Sequence, residues 1–324
     1  MTSPSVAGRL AQYGLVLVFA ITLNFLLPRL MPGNPLLLIA GADVGQLTDE
    51  ERQAVLERVG LDQPLGEQFV IYLRDIATGD LGYSYRQKRP IVTLIAERLP
   101  WTLLLAGASI LLSAVIGVVL GALAAWRRGR RTDLSSLTSM IVLDALPSFW
   151  LGMLFISVFA VELGVLPSYG AVTPASGYQG FDAFMDVTRH AVLPVLTLTI
   201  LSVPGIYLTM RYSMLGVLGE DFIRTARAKG LPERTVALRH AARNAIIPVV
   251  TVVALRLGFA FGGTVVVETV FSYPGLGRLI FEAVSGRDYP VMQATFLVFT
   301  VAVLLCNLLA DVLYPRLDPR ARDS

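Results

Sequence analysis

Six long apolar runs constrain this chain more than any other feature of its sequence. They lie at residues 10–31, 101–126, 137–161, 191–215, 248–271 and 291–314. A helix of about 20 apolar residues crosses a hydrocarbon core roughly 30 Å thick. Only 16% of the 324 residues are charged, whereas soluble domains carry about 25%. The runs therefore predict an all-α polytopic membrane protein with six transmembrane helices.

The basic residues are distributed unevenly between these runs. Arginines crowd residues 127–131 after the second run, basic residues recur through 224–243 after the fourth, and arginines follow the sixth. Cytoplasmic loops carry an excess of lysine and arginine, so these three segments are predicted to be cytoplasmic. With six spans, both the N and the C terminus are then expected in the cytoplasm.

This topology divides the chain into four predicted parts. Residues 1–31 hold the N-terminus and the first transmembrane helix, and residues 32–100 form an external segment. Residues 101–315 form a five-helix core with a cytoplasmic loop at 216–247, and a cytoplasmic tail follows at 316–324.

The long external segment has the signals of folded structure. Thr48 and Glu51 form a capping box for one helix. Pro64 begins a second helix with an apolar stripe, which consists of Leu65, Phe69, Tyr72, Leu73 and Ile76. This segment either packs on its own span ends or docks an external partner, and both interpretations remain open.

The two other external segments differ in character. Residues 162–190 are rich in Gly, Pro and Ser, which predicts a loop with a short helix. In residues 272–290, Pro274 and Gly275 predict a turn that leads into a short re-entrant or interfacial helix.

The most distinctive polar segment is residues 221–248, between the fourth and fifth runs. Asp221 is expected to cap a helix over residues 222–229, and Gly230 to stop it in the left-handed conformation. Pro232 then begins a second helix that is predicted to end near Asn244. The positive-inside rule explains the charge of such a loop but not this Ala–Gly–Pro arrangement. A compact helix pair anchored to two spans can transmit a rigid-body movement to or from a partner.

The same loop carries motifs of a known family. Residues 226–231 are ARAKGL, 239–245 are RHAARNA and 248–251 are PVVT. They resemble the coupling loop of binding-protein-dependent ABC importer permeases, and within that family the dipeptide/oligopeptide branch. Gly230 stands at the family's invariant glycine, and Arg224-Thr225-Ala226 stands where the general pattern has EAA. Further motifs extend the resemblance over nearly the whole chain: MPGNP at 31–35, GLDQPL at 60–65, GDLGYS at 79–84, LPS at 146–148 and ETVFSYPGLGRL at 268–279.

The resemblance implies a type I ABC-importer permease fold in the plasma (inner) membrane. The chain would be a permease subunit of an ATP-driven, binding-protein-dependent importer of di- and oligopeptides. The implied partners are a homologous second permease, two ABC ATPase subunits, an extracytoplasmic peptide-binding protein and the lipid bilayer, with no nucleic acid. No GxxxxGK[ST] phosphate loop occurs in the sequence, so we expect no enzyme activity and no cofactor in this chain. ATP and Mg would bind to the ATPase subunits.

The resemblance also implies which residues couple the permease to its ATPase. They would lie in a groove of the ATPase subunit and turn the spans between inward-open and outward-open states when ATP binds. The residues are Thr225, Ala226, Arg227, Ala228, Lys229, Gly230, Leu231, Arg239, His240, Arg243 and Asn244.

Five polar residues in or near the apolar runs are candidates for the translocation path or a gate: Asn24, Asp144, Arg256, Glu268 and Asn307. Ionisable groups inside a membrane are costly and usually face a cavity or a partner. Arg256 and Glu268 are about 18 Å apart along a helix at 1.5 Å per residue, so they cannot pair with each other. Structural ion pairs and a polar path are both compatible with the sequence. Asp144, close to Pro147, is an alternative candidate for stabilising a kink.

Several other functions fit the sequence less well. A secondary transporter would need coupling acids near the midplane, and a membrane enzyme would need a motif such as HExxH or GxSxG, which the chain lacks. The single cysteine, Cys306, and two histidines on opposite sides of the membrane do not form a metal site. Within the importer class the substrate stays open, because related permeases are associated with nickel, glutathione or other small solutes.

Overall fold

The structure is a computed structural model that describes residues 6–30, 48, 50, 63–84 and 86–317. Glu51 of the predicted capping box lies outside the described residues, as does the MPGNP motif. The described part is mostly helical.

The helices and strands follow one another along the described residues with short connections. Ten helices are numbered here: α1 Val6–Leu30, α2 Leu65–Thr78, α3 Ile91–Trp126, α4 Arg131–Asp144, α5 Ser148–Phe155, α6 Gly180–Leu218, α7 Asp221–Ala228, α8 Arg243–Val270, α9 Leu276–Ser285 and α10 Tyr289–Leu317. A short antiparallel β-hairpin with two residues in each strand, β1 Tyr83–Ser84 and β2 Arg89–Pro90, precedes α3. Two π-helical segments extend the helices, Ile156–Glu162 after α5 and Val236–Ala242 before α8, and a single turn at Glu233–Thr235 precedes the second of them.

Each predicted apolar run except the third forms one helix over nearly all of its described residues. Among the described residues, four helices are long and apolar enough to cross a membrane: Ile91–Trp126, Gly180–Leu218, Glu233–Gly258 and Tyr289–Asp311. The first run corresponds to α1, whose apolar stretch, Ala11–Leu26, is shorter. The third run is divided over two helices.

The division of the third run is a sharp bend. The helix pair Arg131–Asp144 and Ser148–Glu162 is bent by 100°. Pro147 precedes α5 at its N-cap position, and a proline disfavours helical geometry in the residue before it. The third run is therefore not one straight helix, because the chain turns at Pro147.

The chain forms two compact units. The first contains Leu104–Phe271 and Leu305–Ser324, and the second contains Pro4–Leu103 and Ser272–Leu304. In the first unit, α6 is the central helix and packs against α4, α5 and α8. It begins at Gly180 rather than near residue 191, so the short helix predicted in the second external segment is the first part of α6.

Two glycines let α3 approach α6 closely. A Cβ atom at Gly117 would stand 2.8 Å from Cβ of Ile206, and one at Gly121 would stand 2.6 Å from the carbonyl oxygen of Tyr207. The two glycines are four residues apart and lie on one face of α3, in a GxxxG motif typical of close helix pairs in membranes. The motif therefore fixes the contact between α3 and α6.

In the second unit, the β-hairpin is joined to the segment before α10. Ser84 Oγ donates to Oδ2 of Asp288 over 2.5 Å, and Arg86 Nη1 donates to the carbonyl oxygen of Gly286 over 2.9 Å. Beneath them, α3, α9 and α10 share an apolar cluster that includes Leu94 and Leu279. The predicted turn and short helix after residue 272 are confirmed, since α9 begins directly after Gly275.

Helix α2 confirms the start predicted at Pro64, but its buried side is partly polar. Leu65 and Leu73 are exposed. Gln68 is buried and accepts a hydrogen bond from Arg29 Nε over 3.0 Å. Leu65 and Leu73 of the predicted stripe are therefore not covered within this chain, and polar contacts contribute to holding α2 against α1.

Candidate coupling site

The loop after α6 begins with the short helix α7. Its N-cap residue is Glu220, and no side chain caps the free amides. Asp221 instead lies in the first helical turn and pairs with Arg224 over 3.4 Å, both side chains being exposed. The prediction that Asp221 caps the helix is wrong by one position. An acidic side chain in the first turn still stabilises the helix, because it interacts favourably with the positive end of the helix dipole.

Gly230 ends α7 as predicted. Its φ is +76°, which is the left-handed region that glycine adopts without strain. The amide of Gly230 donates to the carbonyl of Arg227 over 2.9 Å, and the amide of Leu231 donates to Ala226 over 3.4 Å. These two bonds form a Schellman motif, which satisfies the last carbonyls of the helix.

The second helix of the loop does not end near Asn244. From Glu233 the chain is helical without a break through the π-helical segment and then α8, which passes through Pro248. Proline removes one backbone hydrogen bond, but π-helical adjustments of the kind found here compensate for such losses in membrane helices. The fifth span therefore extends into the loop after α6 as one helix, and within residues 219–247 only α7 is a separate helix.

The loop has an apolar inner face. Ile223 and Val236 are fully buried, and Ala226 is 6% exposed. They belong to one cluster with Met210 and Met214 of α6. Ala226 therefore anchors the loop to the spans instead of offering a surface contact.

The remaining residues assigned to coupling form the outer face of the loop. Arg227 Nε donates to Glu233 Oε1 over 3.0 Å, which links α7 to the following turn. Asn244 Nδ2 donates to the carbonyl oxygen of His240 over 2.7 Å. His240 is half-buried, whereas the others are exposed: Thr225, Arg227, Ala228, Lys229, Gly230, Leu231, Arg239, Arg243 and Asn244. The exposed basic residues thus lie on the outer face of a loop whose inner face packs against α6.

Asn24 and Asp144, two of the candidate path residues, have different surroundings. Asn24 is buried in the second unit, where its Nδ2 donates to Tyr72 Oη over 3.1 Å and to the carbonyl of Gln293 over 2.8 Å. These contacts hold α1 against α2 and α10. Asp144 is exposed and is the last residue of α4, at the 100° bend.

The other three candidates lie in the first unit. Glu268 is fully buried near the end of α8. Asn307 of α10 is half-buried, and its Oδ1 has no hydrogen-bond partner within residues 6–30, 63–84 and 86–317. Arg256 is half-buried and lies against Gly205 of α6.

The sequence analysis missed the ion pair that joins α4 to α6. Arg211 donates to both carboxylate oxygens of Asp133 over 2.8 and 3.0 Å. Asp133 follows directly after an arginine-rich segment, so in the sequence it looks like one more charged residue of a polar loop. The GxxxG motif at Gly117 was also missed, although its spacing could have identified it.

Two family models match this chain. The inner membrane component of binding-protein-dependent transport systems matches residues 117–323. The N-terminal part of the membrane component of such systems matches residues 6–106. Together the two models cover most of the chain.

Close relatives have similar length. The chain is 43% identical over 300 residues to the glutathione transport system permease protein GsiC of Escherichia coli O6:H1, covering 93% of this chain and 92% of the relative. It is 42% identical to the permeases of the same name from E. coli K12 and Shigella flexneri, with the same coverage.

Solved structures share the fold at low sequence identity. An inward-facing form of the MetNI methionine ABC transporter has a chain with a TM-score of 0.55 and 19% identity, covering 69% of this chain and 96% of that one. An amino acid ABC transporter with histidines gives 0.51 and 15% identity, with coverages of 69% and 94%. These likenesses support the type I importer permease fold. The chain therefore belongs to the family of inner membrane components of binding-protein-dependent transport systems, as a multi-pass permease subunit and not as the ATPase of an ABC importer.

Proposed function

We propose that this permease imports short peptides, in an ATP-driven complex with a binding protein. The observation that carries the proposal is 43% identity over 93% of the chain to a glutathione permease, together with the peptide-branch motifs of the coupling loop. Glutathione is itself a tripeptide, so this relative supports a peptide-type solute. The specificity of such complexes depends largely on the external binding protein, which is a separate chain.

Glutathione is the second candidate, and the names of the relatives favour it specifically. It differs from ordinary peptides in its γ-glutamyl linkage and in having two free carboxylates. A permease that accepts both would need a wide path with few selective contacts. The two candidates are distinguished by which loaded binding protein stimulates the complex.

We further propose that residues 216–247 couple transport to ATP hydrolysis. The exposed basic face of α7 and of the helical extension of α8 would contact one ATPase subunit, and a homologous second permease would contact the other. The buried face, with Ile223 and Val236, fixes the loop to α6. Movement of the ATPase would therefore reach α6 and α8 without passing through a flexible hinge.

The test is ATP hydrolysis and uptake by the reconstituted complex. The tagged chain is co-purified with its partners and placed in proteoliposomes with the binding protein and either a mixed pool of short peptides or glutathione. Stimulation and uptake with peptides support the main proposal, and stimulation by glutathione alone supports the second candidate. Stimulation only by nickel or another unrelated solute would contradict both.

A further inference from the structure

Arg256 lies well inside an apolar helix. It is 13 residues beyond the first residue of α8, Arg243, which places it about 20 Å along the helix at 1.5 Å per residue. The next charged residue of α8 is Glu268, 12 positions further on. A charged group at such depth is costly and needs a partner or a polar cavity.

The guanidinium of Arg256 lies directly on the backbone of Gly205 in α6. A Cβ atom at Gly205 would stand 2.8 Å from Cζ of Arg256 and still closer to Nη2. Only glycine therefore leaves room for this side chain. The carbonyl oxygen of Gly205 accepts a hydrogen bond from Thr209 Oγ1 over 2.8 Å. The absent side chain of Gly205 thus leaves a cradle, the space that the guanidinium of Arg256 occupies.

No acceptor for Arg256 is present in the described part of the chain. Its guanidinium makes no hydrogen bond or ion pair with any described residue. Arg211, in the same unit, is different, because Asp133 accepts two of its hydrogen bonds. Five N–H donors on a half-buried plane require acceptors. The acceptor of Arg256 must therefore come from outside the described chain.

We propose that Arg256, cradled on Gly205, binds a carboxylate of the solute during transport. This inference rests on the proposed import of peptides, since a free peptide always carries a C-terminal carboxylate. The planar fork of arginine binds a carboxylate with two parallel hydrogen bonds, which a neutral amide cannot reproduce. Arg256 is only half-buried, so part of its side chain is accessible on this subunit. Every short peptide offers the same group, and the side chains of the peptide do not affect this contact.

The test compares uptake of trialanine with uptake of its C-terminal amide. The whole complex is reconstituted with its binding protein, and the acid-to-amide uptake ratio of each variant is divided by that of the wild type. The preference of the binding protein cancels in this quotient, because the binding protein is the same throughout. Co-purification of the ATPase checks that each variant assembles.

Three variants and one control define the expected result. In Arg256→Gln the ratio should fall about tenfold, because a charge-assisted hydrogen bond to the carboxylate is lost. Arg256→Lys should retain part of the preference. Gly205→Ala should lower the ratio with the charge unchanged, since its Cβ displaces the guanidinium. Gly107→Ala is the matched control, because a Cβ there meets no atom within 4 Å, and it should match the wild type.

Two results would overturn the proposal while leaving peptide import intact. One is an equal loss of acid and amide uptake in Arg256→Gln. The other is rescue of Arg256→Glu by replacing an acid of the second permease with arginine, which would assign the missing acceptor to a structural ion pair. A wild-type complex that takes up neither trialanine nor its amide would instead contradict the proposed function, and the inference with it.

Discussion

Asp133 and Arg211, 78 positions apart, form a bidentate ion pair between α4 and α6. Arg211 Nε lies 2.8 Å from Asp133 Oδ1, and Nη2 lies 3.0 Å from Oδ2. The backbone amide of Gly129 donates to the same carboxylate over 3.0 Å. The aspartate side chain is 2% exposed and that of the arginine 11%. The pair therefore fixes the arginine-rich segment before α4 to the central helix of the first unit.

Removing one member of this pair should destabilise the protein strongly. Asp133→Asn leaves the Arg211 charge buried without its counter-ion, which costs about 3 kcal/mol. We expect a clearly lower thermal midpoint of the purified permease in detergent, measured by intrinsic fluorescence. Asp75→Asn is a control, because Asp75 pairs with Arg74 at an exposed position. An Asp133→Asn midpoint equal to that of the control would show that the pair contributes nothing.

Enlarging Gly121 should separate α3 from α6. In Gly121→Ala the new Cβ meets the carbonyl oxygen of Tyr207 at 2.6 Å and Cβ of Met210 at 2.9 Å, so the backbone has to shift. Alanine normally favours a helix over glycine by about 1 kcal/mol, and overpacking costs about 1–3 kcal/mol. The net result should be a lower thermal midpoint and a lower yield of folded protein. Gly107→Ala gains the same propensity without a clash, and it should not lose stability.

A β-branched residue at Gly230 should impair coupling and leave the spans intact. The position has φ +76° and no atom within 4 Å of an added Cβ, so only backbone strain opposes a side chain. A left-handed residue costs about 1–2 kcal/mol when it is not glycine. Gly230→Val should therefore lower the ATPase stimulation by loaded binding protein. Gly230→Asn is the matched variant, because asparagine tolerates this conformation, and it should retain more stimulation. Normal stimulation in Gly230→Val would contradict the assigned role of the loop.

Asp288 should make the stability of the protein depend on pH. Burial raises the pKa of this carboxyl above 3.8, although the hydroxyl of Ser84, the backbone amide of Val291 and the charge of Arg86 oppose the rise. A raised pKa means that the protonated form stabilises the fold. That contribution is fully present below pH 3.8 and is lost as the pH rises through the raised value.

The measurement is the thermal midpoint of wild type and Asp288→Asn between pH 4 and pH 8. The neutral amide cannot ionise, so the variant should lose less stability than the wild type as the pH rises. Ser84→Ala removes the hydroxyl that donates to Oδ2 of Asp288. Without that hydrogen bond the pKa of Asp288 should rise further, so the stability of this variant should depend on pH more steeply than that of the wild type. Parallel curves for wild type and Asp288→Asn would mean that another group determines the pH dependence.

Local signals in the sequence were sufficient for several elements. The apolar runs predicted the long helices, because hydrocarbon requires every backbone group to be bonded within its own segment. The end of α7 at Gly230 and the turn before α9 followed from glycine and proline, whose allowed backbone angles are a local property. Pro147 and Pro248 show the limit of such signals. Both lie within apolar runs, yet the chain bends at the first and continues as one helix through the second.

The sequence by itself determined that this chain is a helical membrane protein with a basic loop between its fourth and fifth apolar runs, and its motifs determined the family. Only the tertiary structure decided which residues meet across the first unit. Arg211 pairs with Asp133, whereas Arg256 lies on Gly205 and makes no bond within the described chain. Both arginines have the same chemistry and lie in apolar helices, so the sequence offers no means to tell a structural arginine from one available to a ligand. The difference depends on how helices pack, and packing brings together residues that are distant along the chain.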